Sequence, residues 1–259
     1  MLDLPHDVAR VYLPPDANCT LSTVHHCLRG RHHVNLVVAS KEATALSWLT
    51  PEEADQHCVA GGGVWPQFSS FGGEAPDVVL TGVGVQTTAE VVAACRILQR
   101  DISGLRIRVV NITDLLILSS PNDPNPHPHA LKQETFDALF PEEVPIIFNT
   151  HGYISQVKGL VSTRLGYDGN DHVRFLGYHE EGTTTTPWSM LRCNGVDRFS
   201  VAQHALELLP AHPLVSPKAT SLHAQYEHAK RYQEKFAEEH GEDPEEYSSL
   251  PPPVEPKLN

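Results

Sequence analysis

The stretch Asp77-Val-Val-Leu-Thr-Gly-Val-Gly-Val-Gln-Thr-Thr-Ala-Glu90 decides the fold class. Asp77 to Thr81 is a short β-branched apolar run, Gly82-Val83-Gly84 is a tight turn, and a helical pattern follows as far as about Arg100. Thr87 to Glu90 reads as a capping box ahead of that helix. Arg106 to Ile112 is the next strand. A strand, a turn, a helix and a second strand at this spacing imply parallel pairing through a crossover.

Outward in both directions the alternation repeats. Upstream, Arg10 to Leu13 is a strand stopped by Pro14-Pro15. Asp16 to Asn18 can cap a helix through about Leu28, with Gly30 just past its end. Val34 to Ala39 has the length and branched content of a buried strand. Thr50-Pro51-Glu52-Glu53 combines a capping box with proline at the first helical position. Downstream, Gln133 to Phe140 is a short helix, Val144 to Phe148 a strand and Ser155 to Arg164 a helix. His172 to Tyr178 is a strand, and Asp197 caps a helix through Leu209. Gly61-Gly62-Gly63 and the glycine-, serine- and proline-rich residues that follow read as a linker over 61–75. The reading is α/β, with residues 1–60 as one unit, 76–215 as a second, and 216–259 as a charged helix (His223 to His240) ending in a disordered proline-rich tail.

Composition narrows the function. The 259 residues carry 19 Lys plus Arg against 32 Asp plus Glu, a formal net charge of -13. Nucleic-acid and anionic-membrane surfaces need clustered cations, so neither is expected; one local basic pocket for a small phosphorylated metabolite is compatible. Met1-Leu-Asp-Leu-Pro has neither the basic start nor the apolar run of a signal peptide, and no membrane-length apolar segment occurs. Five scattered cysteines without a CxxC spacing suit a reducing cytoplasm.

Individual motifs are weak when taken singly. Gly82-Val83-Gly84 has two glycines of a dinucleotide fingerprint, but Thr87 stands where the third belongs. Asn111 and Thr113 stand where an acidic residue would end the next strand. A tight strand-to-helix turn is the simpler reading; an independent nucleotide-binding protein is the weaker one. His25-His26, His32-His33 and His127-Pro128-His129 lack chelating spacing, so no metal site is expected. In Gly177-Tyr-His-Glu-Glu-Gly-Thr-Thr-Thr-Thr-Pro187-Trp188 the adjacent Glu180 and Glu181 need not face each other, and a structured loop leading to a helix near Pro187 is expected. Lys41 lies just past the strand 34–39, and ligands of open α/β sheets bind beyond the carboxyl ends of strands. There it can act as a point charge for a phosphate, with Ser40 or backbone N–H groups assisting. The alternative is a surface lysine paired with Glu42.

Six runs together resemble the xylulose 5-phosphate/fructose 6-phosphate phosphoketolases. They are Arg10-Val-Tyr-Leu-Pro-Pro-Asp-Ala-Asn-Cys19, Val34-Asn-Leu-Val-Val-Ala-Ser-Lys41, Arg108-Val-Val-Asn-Ile-Thr-Asp-Leu115, Phe148-Asn-Thr-His-Gly-Tyr153, Gly177 to Pro187, and Asn194-Gly-Val-Asp-Arg-Phe199. They stand in family order and span the chain to about Leu209. The resemblance implies the end of a pyrimidine-binding-type domain up to about Ala60. A transketolase C-terminal-like mixed sheet flanked by helices would follow from about Pro76.

It further implies a lyase of carbohydrate metabolism that splits a ketose phosphate with thiamine diphosphate and a divalent metal such as Mg. Inorganic phosphate would capture the two-carbon product as acetyl phosphate and leave an aldose phosphate. Lys41 matches the family lysine that contacts the substrate or the attacking phosphate. The catalytic glutamate, the thiazolium histidines and the metal–diphosphate motif of that family fall before Met1. No catalytic residue is therefore assigned to this chain, and alone it is expected to be inactive, working as a homodimer or in complex with the missing domains. The alternative is a non-catalytic dimerisation or effector-binding module. Three departures from the family pattern stand out: Glu42-Ala43 replaces glutamine-proline after the lysine, His179 replaces a lysine, and Gly166 to Asp171 replaces an asparagine-rich loop.

Overall fold

Seven strands and nine α-helices alternate along the described residues of the computed structural model, which covers 4, 7–41, 47–71, 75–123, 126–165, 172–179, 182 and 184–248. The first unit holds β1 (Ala9–Tyr12), α1 (Ala17–Arg29), β2 (Val34–Val37) and α2 (Pro51–Ala60). Next come β3 (Gly62–Val64), β4 (Val78–Val83), α3 (Val85–Asp101), β5 (Ile107–Ile112), α4 (Gln133–Leu139), β6 (Ile146–Thr150), α5 (Ile154–Val161) and β7 (Val173–Gly177). The chain then becomes helical: α6 (Pro187–Cys193), α7 (Arg198–Leu208), α8 (Ala219–His240) and α9 (Glu245–Ser248).

The larger sheet has the order β3-β5-β4-β6-β7, with β4, β5, β6 and β7 parallel and β3 antiparallel to β5. Successive side chains point to opposite faces of a strand, and two cores result. Val78, Leu80, Ile107, Val109 and Ile147 face α3, α7 and α8; Val79, Val83, Val110, Ile112, Ile146 and Phe148 face α4, α5 and the 115–118 turn. Coverage on both faces explains why these strands are apolar throughout. Their β-branched side chains each contribute about 1.5–3 kcal/mol on full burial. The sheet is mixed and flanked by helices on both faces, and none of the helices among the described residues is long and apolar enough to cross a membrane.

Helix ends follow their local chemistry. Asp16 caps α1 by accepting from the Cys19 N–H, and Thr50 with Glu53 closes a reciprocal capping box on α2. Asp197 caps α7 by accepting from the N–H groups of Phe199 and Ser200.

Three expectations are corrected. Thr87 to Glu90 is not a capping box: α3 starts at Val85, Thr87 Oγ1 donates to the Val83 carbonyl at 2.6 Å, and the Glu90 carboxylate bonds elsewhere. The strand after Gly30 is not buried; among the described residues β2 pairs only with β1, and Val34 and Leu36 are exposed. The glycine run at 61–63 enters the sheet as β3, where Gly62 lies so close to Asn111 that an added Cβ would sit 2.7 Å from its carbonyl oxygen. Trp65 and Phe68 follow it into the core beside Trp48, so an apolar anchor replaces a free connection.

The charged helix docks as well: α8 buries Leu222, Tyr226 and Gln233. Asp243 accepts from Thr186 Oγ1 at 2.6 Å and the Trp188 N–H at 2.8 Å, tying the segment after α8 to the start of α6. Glu42-Ala43, Gly166 to Asp171, Glu180, Glu181 and the tail from Ser249 lie outside the described residues.

Candidate functional site

The two sheets meet where ligand sites form in α/β folds. From β4 the chain passes through α3 to β5 on one side and later returns to β6 on the other, so the carboxyl end of β4 lies at a topological switch. The first unit is pinned over that end. Leu13 N–H donates to the Thr113 carbonyl at 2.7 Å, Tyr12 bridges Asp114, and the N–H groups of Thr113 and Asp114 both donate to the Gly61 carbonyl.

A cavity of about 380 Å3 opens at this junction. Asp16, Thr20 and Leu21 of the α1 end, Ala39 and Ser40 after β2, and Val85 at the start of α3 form its wall. Asp16 is buried and fully engaged: one carboxylate oxygen accepts from Cys19 N–H at 2.7 Å and the other from Trp48 N–H at 2.7 Å and Leu49 N–H at 3.3 Å. Gln86 Nε2 donates to Ser40 Oγ at 2.9 Å, joining the first turn of α3 to the end of β2. Gly84, the residue before α3, has φ of 100° and offers no side-chain cap. The first N–H groups of a helix attract anions through the macrodipole. An anion at this rim would meet a hydroxyl and a helix amino terminus.

Lys41 is exposed and directly follows the wall residue Ser40, with the parallel pair β1–β2 and its α1 crossover behind it. Gly82 and Gly84 serve packing: an added Cβ would lie 2.6 Å from Thr88 Cα at Gly82 and 2.7 Å from His151 Cβ at Gly84. Asn111, considered above only as a missing acid, is a hub. Its Nδ2 donates to the Gly82 carbonyl at 3.1 Å and Thr88 Oγ1 at 3.0 Å, and its Oδ1 accepts from His57 Nε2 at 2.8 Å. Burial holds His57 below the usual imidazole range, favouring the neutral ring.

At the carboxyl ends of β6 and β7, His151 stacks on Tyr178 with centroids 4.7 Å apart, and Tyr153 on His179 at 5.6 Å. Burial likewise lowers the His151 pKa. The other histidine groups stay local. His26 lies 3.5 Å from an Arg10 guanidinium nitrogen, and His127 Nδ1 accepts from the His129 N–H at 3.1 Å.

The pairings of His57 with Asn111 and of Glu90 with Arg198 are not legible in the sequence because the partners stand 54 and 108 positions apart. Among the described residues no group of three or more His, Cys, Asp or Glu side chains is placed to hold a metal ion.

Comparison with known proteins covers nearly the whole chain. The XFP C-terminal domain family model matches residues 42–251, and the model of D-xylulose 5-phosphate/D-fructose 6-phosphate phosphoketolase matches residues 1–30. A probable phosphoketolase of Schizosaccharomyces pombe is 42% identical over 251 residues, covering 97% of this chain and 29% of that protein. One from Brucella abortus is 42% identical over 227 residues, covering 85% and 28%. The chain thus spans under a third of the length of these relatives. Among solved structures, a split-gene transketolase, an inactive β4 tetramer, superposes with a TM-score of 0.56 at 18% identity, over 83% of this chain and 61% of that one. Transketolase from Leishmania mexicana gives 0.52 at 17% identity, over 79% and 26%. At such identities the shared property is the fold.

Proposed function

Because this chain belongs to the phosphoketolase family, we propose that it is the carboxyl-terminal part of an enzyme that converts a ketose phosphate and inorganic phosphate to acetyl phosphate and an aldose phosphate. On this reading residues 1–60 end a pyrimidine-binding-like domain, 76–215 form the carboxyl-terminal domain, and the assembly works in the cytoplasm. Thiamine diphosphate would supply the carbanion chemistry of the assembled enzyme, as cofactors do in general. On the same reading, the groups that hold that cofactor and its metal are supplied by other segments of the assembly.

One observation carries the role assigned to this chain. Lys41 directly follows Ser40, which lies past the carboxyl end of the parallel strand β2 and shares the cavity wall with Val85 at the uncapped start of α3. Lys41 holds the phosphate of the sugar or the attacking phosphate as a point charge, and Ser40, positioned by Gln86, offers a hydroxyl beside it. Such a residue binds and orients, and the proton and carbanion steps fall to groups on other segments.

The test is reconstitution. The chain is mixed with the upstream portion of a phosphoketolase, thiamine diphosphate and Mg2+, and acetyl phosphate is measured with fructose 6-phosphate or xylulose 5-phosphate. Product from the mixture and none from either part alone is expected. Inactivity in every combination overturns the assignment.

The non-catalytic reading draws on a different observation. Leu21, Leu28 and Val59 of α1 and α2 are 69%, 81% and 77% exposed, apolar surface of the kind that association covers. Light scattering with calorimetry against thiamine diphosphate and sugar phosphates separates the readings: a dimer blind to every ligand favours the module.

A further inference from the structure

Two of the five free cysteines meet across the α1–α2 contact. Cys19, in the first turn of α1, is completely buried, while Cys58, in the last turn of α2, is half-buried. The Cys58 thiol lies 3.5 Å from the Cys19 carbonyl oxygen, and Thr23 Oγ1 donates to the Cys58 sulfur at 3.7 Å. A Cys58 sulfur 3.5 Å from the main chain of Cys19 brings the two cysteines into the close neighbourhood from which a disulfide can form. Cys27, eight residues further along α1, lies about 12 Å away at 1.5 Å per residue, and Cys193 is exposed on α6.

We propose that Cys19 and Cys58 form a reversible dithiol–disulfide pair that locks α1 to α2 when the chain meets a hydroperoxide. The roles follow from the surroundings. Hydrogen bonds from the Cys19 thiol first, then from Thr23 and Ser22, hold the Cys58 pKa below its ordinary value, whereas the Cys19 pKa is raised by its bond to Cys58 and by burial. Cys58 is thus the attacking thiolate and Cys19 the resolving thiol.

The Cys58 sulfur attacks a peroxide oxygen, the O–O bond breaks, and water or an alcohol leaves with the sulfur as sulfenic acid. The Cys19 sulfur then displaces hydroxide from that sulfur, and its proton leaves as part of a second water. Two thiols lose two electrons and two protons, and one peroxide is reduced. A small dithiol reverses the process by exchange. Pairs of this kind are the ones expected in a reducing compartment, where disulfides are transient. The pair also touches the cavity wall, since the Cys19 N–H and those of Trp48 and Leu49 share the Asp16 carboxylate.

The test uses the reduced 259-residue chain carrying Cys193→Ser, which removes the exposed thiol and leaves four of the five. It is treated with equimolar hydrogen peroxide, alkylated, digested without reductant and sequenced by fragmentation. A Cys19–Cys58 cross-link is expected, with titratable thiols falling from four to two and returning with dithiothreitol. Cys58→Ser, checked for folding by circular dichroism, should keep all its remaining thiols at the same dose. Cys58 recovered as sulfinic acid with Cys19 free, a link to Cys27 instead, or four unchanged thiols would each overturn the proposal. None of these outcomes depends on the phosphoketolase reading, which is tested by product formation.

Discussion

Glu90 and Arg198, 108 positions apart, meet as a two-pronged buried ion pair between α3 and α7. Arg198 donates from Nε to one carboxylate oxygen at 2.9 Å and from NH2 to the other at 2.7 Å. The Arg198 backbone N–H at 2.6 Å and Trp188 Nε1 at 3.3 Å complete the set around Glu90, and the guanidinium lies 5.8 Å from the Tyr247 ring. One carboxylate thereby gathers three helices and the last aromatic residue of the described chain. Removing either partner leaves a buried charge unpaired, which costs about 3–5 kcal/mol, whereas removing both leaves none. Urea denaturation should show Glu90→Ala and Arg198→Ala each losing that much, and the double variant losing well under the sum. Additive losses would show that the pair is not coupled.

Asp114 lies two residues past β5, beneath the first unit, and burial pushes its carboxyl up from the ordinary 3.8 to about 6, against the bond from the Leu116 N–H and the Arg10 charge. With the folded pKa above the unfolded one, the folded chain keeps a proton that the unfolded chain releases between those values. Its share of stability is present below about pH 4 and is lost as pH rises through 6. Asp114→Asn keeps the acceptor and removes the charge. Thermal melts should find this variant more stable than the parent at pH 7.5, by about 2–3 kcal/mol at most, with the difference closing near pH 4. A gain that is constant with pH would remove the carboxyl from the explanation.

Two glycines should respond in opposite directions to alanine. At Gly82 the new methyl would meet Thr88 Cα at 2.6 Å, so β4 and α3 must separate; a loss of about 1–3 kcal/mol is expected. At Gly159, inside α5, nothing lies within 4 Å of the new methyl, and alanine should stabilise by about 0.5–1 kcal/mol. Paired denaturation curves decide it, and equal effects would refute the close-packing role given to Gly82.

Lys41 is exposed and directly follows Ser40 of the cavity wall. Lys41→Ala should leave the melting curve within about 0.5 kcal/mol of the parent, as surface changes generally do. In the reconstituted enzyme the same change should raise the KM for phosphate or for the sugar phosphate at least tenfold, and Lys41→Arg should recover part of it. Unchanged KM values for both substrates would take the phosphate role from this residue.

Nearly every element was legible along the chain because its cause is local. Asp16, Thr50 and Asp197 cap helices three or fewer positions away, and Gly61 closes α2 in the left-handed conformation, so their side chains and backbone act within one turn. The resemblance was legible for the same reason, since its runs are contiguous, and the family matches at 42–251 and 1–30 agree with it.

What pairs across the chain was decided only by the tertiary structure. The antiparallel β3 forms from two glycines and a valine, with little strand propensity in the glycines, because Trp65 and Phe68 bury themselves beside Trp48 and bring the backbone against β5. Glu90 reads as a helix-start residue until Arg198 arrives, and Asn111 reads as a vacant acidic position until His57, Thr88 and the Gly82 carbonyl surround it. Local sequence sets backbone conformation through sterics and neighbouring hydrogen bonds. The worth of a buried polar group depends instead on which distant partner desolvates it and satisfies it, and only the packed chain supplies that partner.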